Sequence, residues 1–140
     1  MTDRNLRKIN DEVWKEIPFA DKKYEVSNYG RVKSYCYNKD DGRILRPGIT
    51  KGFHTVTFKT NGKKKTFLVH KLVAILFVPK KSEDQTIAIH LDWNKRNNYF
   101  KNLEWVTREK AYERIMPRLQ EINKIKNKGL IRNSKLKADD

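Results

Sequence analysis

From Val13 onward, aromatic and β-branched residues recur in short runs broken by Gly, Asn and Asp, the pattern of a small antiparallel sheet. The runs predict strands at Tyr24–Ser27, Arg31–Tyr37, Arg43–Leu45, Phe53–Thr60 and Lys64–Val69. Asn61-Gly62 separates the last two. Both residues tolerate the positive φ that a two-residue turn demands, so a hairpin is expected there.

In His70–Val78 the apolar positions Leu72, Val73, Ile75, Leu76 and Phe77 nearly surround a helix axis, which predicts a mostly buried helix ended by Pro79. After a polar loop, the apolar run Thr86–Leu91 reads as a buried strand. A turn-rich stretch, Asp92–Asn102, follows, and Leu103–Val106 supplies a partner strand. Thr107 is placed to N-cap a helix reaching about Met116. Pro117 kinks that helix or opens a new one, and Leu119, Ile122 and Ile125 then mark one narrow apolar stripe ending at Gly129.

The fold class is therefore α+β. Residues 1–12 are a polar, flexible N-terminus, and 13–69 form a β-rich module with a small antiparallel sheet. Residues 70–116 form a strand-loop-strand-helix unit with a preceding helix, and 117–140 form a basic helical arm.

Charge narrows the function. Thirty-two Lys and Arg against 17 acidic residues leave a net +15, which calls for a polyanionic partner, nucleic acid first. Aromatic residues at 11% are too many for a disordered polar chain, so the basic surface surrounds a real core. Cys36 is the only cysteine, which excludes an intramolecular disulfide and a Cys-based zinc site and fits a reduced, cytoplasmic, DNA-associated setting. The longest apolar run, Leu72–Val78, is too short to span a bilayer, and Met1–Asn10 has no signal core, so no membrane role is expected.

The hairpin carries Lys51, His54, Thr55, Thr57, Lys59, Lys63, Lys64, Lys65 and Thr66 with no acid among them. A two-stranded ribbon fits the major groove, where such side chains reach phosphates and base edges. The plainer alternative is an edge hairpin whose lysines only prevent aggregation. Arg31, Lys33, Lys95 and Arg96 extend the basic set. The arm adds Arg118, Lys124, Lys126, Lys128 and Arg132 against Glu121 alone, and is read as a linker that lies along nucleic acid and is poorly ordered without it. Trp14 and Trp105 are expected as core anchors, and His70 as a structural histidine at a strand-to-helix junction.

His90 ends the Thr86–Leu91 run, facing the asparagine-rich loop and the following helix. Here the string IHLDWNKRNNYFKNLEWVTREKA resembles the core of HNH endonucleases of the homing and phage type. VHKLVAILFVP is similar to the helix that precedes that core, and VWKEIPF with YEVSNYGRVKSY resembles the nuclease-associated modular motif commonly fused in front of it. The resemblance spans residues 13–116 and implies a ββα fold around one divalent metal, Mg²⁺ or Mn²⁺. It also implies a strand histidine as general base on the attacking water and an asparagine before the second strand that holds the loop. Carried over by position, His90 matches the base and Asn102 the loop-holding asparagine.

The metal ligands do not carry over. Ile89 stands where the ligand before the histidine is expected and Ala111 where the helix ligand is expected, and neither has a lone pair. Trp93 replaces the usual loop glycine. A hard cation needs oxygen donors, and Asp92 and Asn94, the nearby substitutes, fall at loop-forming positions of the pattern.

The expectation is a monomeric double-stranded DNA-binding protein on an HNH scaffold that has lost metal-dependent cleavage and needs no cofactor. It would act by regulation, occlusion of a site or recruitment of another protein to DNA. The alternative is an active nicking endonuclease using Mg²⁺ or Mn²⁺, with His90 as base. A third reading is a basic module directed against an acidic protein. The resemblance implies a phage or mobile-element origin. NSKLKADD is similar to the opening of a segment that leads into a helix-turn-helix in that family, and the sequence stops at Asp140 before one.

Overall fold

The computed structural model describes residues 9–36 and 38–137, with side chains as far as Ile125. Among the described residues there are nine strands and two α-helices: β1 (Trp14–Glu16), β2 (Tyr24–Ser27), β3 (Val32–Ser34), β4 (Arg43–Ile44), β5 (Gly48–Thr50), β6 (Phe53–Thr60), β7 (Lys63–Leu68), α1 (Val69–Phe77), β8 (Ile87–His90), β9 (Leu103–Val106) and α2 (Arg108–Lys137). They form an antiparallel four-stranded sheet β1-β2-β3-β4, a three-stranded sheet β5-β6-β7 and a two-stranded ribbon β8-β9 that leads into α2.

Alternation explains β6: Val56, Phe58 and Thr60 are buried while Thr57 and Lys59 are exposed. Asn61 (φ 52°) and Gly62 (φ 77°) make the expected turn with both residues in the left-handed region. The Asp21 carboxylate accepts from both of their N–H groups at 2.8 Å, so the turn is held as well as permitted.

Helix α1 is the hub. Leu72, Val73 and Ala74 are fully enclosed, and they share one core with Ile17, which follows β1, Val26 and Val32 of the first sheet, Val56 and Phe58 of the second, and Leu103 and Trp105 of the ribbon. The core therefore crosses the boundary expected between residues 69 and 70. Pro79 follows the helix end, and donors from outside reach the carbonyls there, the Ala74 carbonyl keeping its bond from Val78 N (3.0 Å) as well. The Trp105 indole N–H donates to Ala74 (3.1 Å) and Val78 (2.8 Å), and Lys15 Nζ donates to Leu76 (2.8 Å). Trp105 is thus the core anchor expected of it, whereas Trp14 is half-buried beneath Arg31 and Lys33.

Several expectations are corrected. β1 and β5 were not foreseen, because three-residue strands leave no periodic trace. The run Ile87–Ile89 is half-buried rather than buried, since one side of β8 borders an open cleft. The arm, expected to be helical, is so, but as the continuation of one helix, α2, that runs through Pro117 and not as a second helix opened there. Proline forfeits a single backbone bond there, while the surrounding Glu, Lys, Leu, Gln and Arg residues are strong helix formers. Within the segment expected to be flexible, residues 9–12 are tied down: Glu12 pairs with Arg31, Asp11 accepts from Tyr29, and the Asp11 carbonyl accepts from Asn28. Residues 1–8 and Tyr37 lie outside the described residues.

The turn between β2 and β3 joins the first sheet to the ribbon. Gly30 adopts φ +82°, and a Cβ there would stand 2.6 Å from the Asn98 Cβ. The Asn28 carbonyl accepts from Phe100 N at 2.9 Å beside it. We expect Gly30→Ala to cost roughly 2 kcal/mol or more, from left-handed strain of about 1–2 kcal/mol plus the clash. Urea unfolding measures this; a variant as stable as the parent would mean that the two surfaces are not in contact.

Candidate active site and basic surface

Antiparallel pairing of β8 with β9 sets His90 opposite Leu103 and Ile89 opposite Glu104. Leu91 N donates to the Asn102 carbonyl (2.8 Å), and beyond that pair the chain turns out into the asparagine loop. Asn102 holds this loop: its Oδ1 accepts from Asp92 N (3.1 Å), and its Nδ2 donates to Asp92 Oδ1 and to the Asn97 carbonyl, both at 2.9 Å. Asp92 also accepts from Asn97 Nδ2 and Asn94 N, each at 2.8 Å. These bonds, led by the one from Asn97, hold the Asp92 carboxyl below its usual pKa.

Asn98 was not singled out from the sequence, yet it is the residue that touches the histidine. It is 4% exposed and its Oδ1 is 2.9 Å from His90 Nε2. The amide oxygen takes the Nε2 hydrogen, which leaves Nδ1 with the lone pair that a base requires. Burial, more than any other cause, lowers the His90 pKa, so the ring is neutral at neutral pH.

A second imidazole lies beside it. The His70 ring centre is 4.5 Å from that of His90, and Phe53 packs on both rings at 5.3 and 6.0 Å. His70 bonds the Ala88 backbone, its Nδ1 is buried without a partner, and burial pushes its pKa down to about 4. It is the structural histidine expected, at the start of α1.

Helix α2 closes the site. The Thr107 hydroxyl accepts from Lys110 N at 3.1 Å, the N-cap bond expected there. Two turns on, Arg114 Nη2 donates to the His90 carbonyl (2.6 Å) and to the Leu91 carbonyl (3.2 Å), tying the helix to the end of β8. The guanidinium groups of Arg114 and Arg118 lie 3.6 and 4.0 Å from the Trp93 ring centre. Trp93 holds φ 65° where the family's loop usually has glycine, a strained conformation for a bulky residue.

Ile89 and Ala111 line one cleft of about 560 Å³ together with Leu68, Tyr112, Ile115 and the two histidines. The divalent metal that the fold family implies does not fit these residues. The two positions at which protein ligands are expected offer only hydrocarbon, Asp92 is engaged within its loop, and the Asn94 Oδ1 accepts from Arg96 N. Among the described residues no group of three or more His, Cys, Asp or Glu could hold a metal ion.

The basic residues separate into two sets. Lys51, Thr57, Lys59, Lys63, Lys64, Lys65, Lys95, Arg96, Arg118 and Lys124 are exposed, and His54 is half-buried. Thr57 and Thr66 share a hydroxyl bond of 2.9 Å across the hairpin, and Lys95 Nζ donates to the Lys51 carbonyl at 3.1 Å. Arg31 and Thr55 are corrected. The Arg31 guanidinium is buried in a paired contact with Glu12 and against Trp14, and Thr55 is buried behind β5, so neither presents a free donor to a polyanion. Lys33 is half-buried over Trp14 at 4.1 Å. Lys126, Lys128 and Arg132 lie on α2 outside the described side chains.

The neutral, buried histidines link stability to pH. Between the ordinary imidazole value of 6.5 and about 4, the unfolded chain binds a proton at His70 that the folded chain refuses. Its contribution is therefore intact above pH 6.5 and is lost as pH falls toward 4, by about 3 kcal/mol. Urea unfolding at stepped pH should show this loss, and His70→Gln should flatten it. An unchanged slope in that variant would contradict the assignment.

Residues 12–59 match the NUMOD4 motif. The DNA endonuclease I-HmuI of Bacillus phage SP01 is 40% identical over 122 residues, covering 81% of this chain and 67% of that protein. Two HNH endonucleases of Acanthamoeba polyphaga mimivirus are 39% identical over 92 and 113 residues, and the chain spans only 26% of each. A solved structure reported as "DNA binding and cleavage by the HNH homing endonuclease I-HmuI" superposes with a TM-score of 0.63 at 40% identity, covering 82% of this chain and 68% of that one. An intact histidine-asparagine ribbon with its following helix, preceded by a NUMOD4 motif, and this degree of likeness together mean that the chain belongs to the HNH homing endonuclease family.

Proposed function

We propose that this chain is a double-stranded DNA-binding protein on the HNH scaffold that does not cleave through a bound metal. The observation that carries the reading is the cleft beside His90, where both positions expected to hold a cation present hydrocarbon, Ile89 and Ala111. DNA as the partner rests on the net charge of +15 and on the exposed lysines of the β6-β7 hairpin, whose part beyond Thr55 is free of β5 and has the two-stranded width that enters a major groove. It also rests on kinship with a DNA endonuclease. Bound to its site, such a protein would occlude it, regulate from it or recruit another protein there.

A second reading, metal-dependent nicking, has one observation in its favour. His90 keeps the neutral ring, the lone pair and the asparagine support that a general base needs. Incubation of supercoiled plasmid with the chain and Mg²⁺ or Mn²⁺ separates the two. We expect no nicking above background, whereas nicking abolished by His90→Ala would establish the enzyme. The double variant Ile89→Asp with Ala111→Asn should gain divalent-metal binding, because it returns oxygen donors to both positions.

Binding should also be strongly salt-dependent. Neutralising about 6 to 10 phosphates implies an affinity loss of roughly 10³ to 10⁵ between about 50 and 200 mM salt. Fluorescence anisotropy with a labelled duplex measures the slope, and a flat response would remove DNA as the partner.

A further inference from the structure

The cleft beside His90 is more than a site that lacks ligands. Its walls include Leu68, Tyr112 and Ile115, which are 36%, 58% and 39% exposed, so apolar surface is left open to solvent in one concave place. Its volume of about 560 Å³ falls in the range that encloses a small organic ligand. The charged groups that line it are Lys95, Arg108 and Arg114, and no carboxylate is among its lining residues.

These features exclude most occupants. A hydrated cation would lose water to hydrocarbon and meet only like charge. A bare phosphate would use the cationic groups and leave the apolar walls uncovered, and a purely apolar ligand would do the reverse. A flat heterocycle carrying phosphate uses both, with the ring on the apolar wall at Tyr112 and Ile115 and the phosphate toward the cationic lining.

We propose that this cleft holds a nucleobase swung out of a DNA duplex, with an adjoining phosphate on its cationic groups. The inference rests on the DNA-binding reading above and names what enters the site. With Ile89 and Ala111 at the positions where the family's pattern has metal ligands, the cleft offers a ring apolar surface there. Eversion costs least for a base that is already unpaired, so the protein should favour such sites in DNA. The imidazoles of His70 and His90 are neutral and add no charge that would bar a heterocycle.

The test uses two duplexes of one sequence, one fully paired and one with a single bulged 2-aminopurine. The full chain should bind the bulged duplex about tenfold more tightly, the gain expected from stacking one base on protein, and 2-aminopurine emission should change to a plateau with binding. Ala111→Phe, which fills the cleft from α2, should remove the preference while leaving affinity for the paired duplex within about twofold. Tyr112→Ser, at an exposed position that folding does not need, should weaken the preference in the same direction. Free 2-aminopurine deoxynucleoside monophosphate distinguishes the source of the ring. Saturable binding that Ala111→Phe abolishes supports the cleft as a nucleotide site, and without a bulge preference it makes the free nucleotide the ligand. Equal affinity for the two duplexes with no binding of the free nucleotide overturns the proposal and leaves DNA binding standing. A preference undiminished in both variants overturns it as well. Failure to bind any duplex or the nucleotide overturns both readings.

Discussion

His90 is held by the Asn98 amide, and Asn98 can lie where it does only because residue 30 has no side chain. A Cβ on residue 30 would meet both the Asn98 Cβ and the Asn98 carbonyl, at a turn whose φ of +82° glycine alone adopts without strain. A turn of the first sheet therefore sets the orientation of a ring on the ribbon, and the neighbouring bond from Phe100 N to the Asn28 carbonyl repeats the tie. The NUMOD4 portion and the HNH portion are mechanically one body around α1.

The loop beyond His90 follows from the same economy of small polar groups. Asp92, Asn94, Asn97 and Asn102 bond one another and the intervening backbone, so the loop's shape is fixed by its own side chains. Asp92 spends three of its acceptor positions on the loop itself. Beside the histidine this chain carries guanidinium: Arg114 and Arg118 rest on Trp93, and Arg114 binds the backbone carbonyl of His90 itself. That charge belongs to the helix, while Ile89 and Ala111 add only hydrocarbon to the cleft.

Local signals were readable in the chain, and tertiary ones were not. The Asn61-Gly62 turn, β6, β9 and the Thr107 cap depend on neighbouring residues and fell where their pattern put them. β1 and β5 exist because β2 and β6 offer them hydrogen-bond partners, which a three-residue string does not reveal. Among four asparagines in one loop, resemblance pointed to Asn102, while the contact with the ring belongs to Asn98, and only the folded path of the loop distinguishes them. Arg114 reaches the His90 carbonyl across 24 residues, and Arg31 is withdrawn from the basic surface by Glu12, 19 residues away. Charge counting could not anticipate either.

The claim on which the account depends is that no protein oxygen near His90 holds a divalent cation. Titrating Mn²⁺ into the chain while following the free-ion signal by electron paramagnetic resonance tests it without reference to any DNA sequence. The signal should rise as it does in buffer alone, and Ile89→Asp with Ala111→Asn should depress it. Stoichiometric loss of free Mn²⁺ in the unaltered chain, abolished by Asp92→Ala, would contradict it.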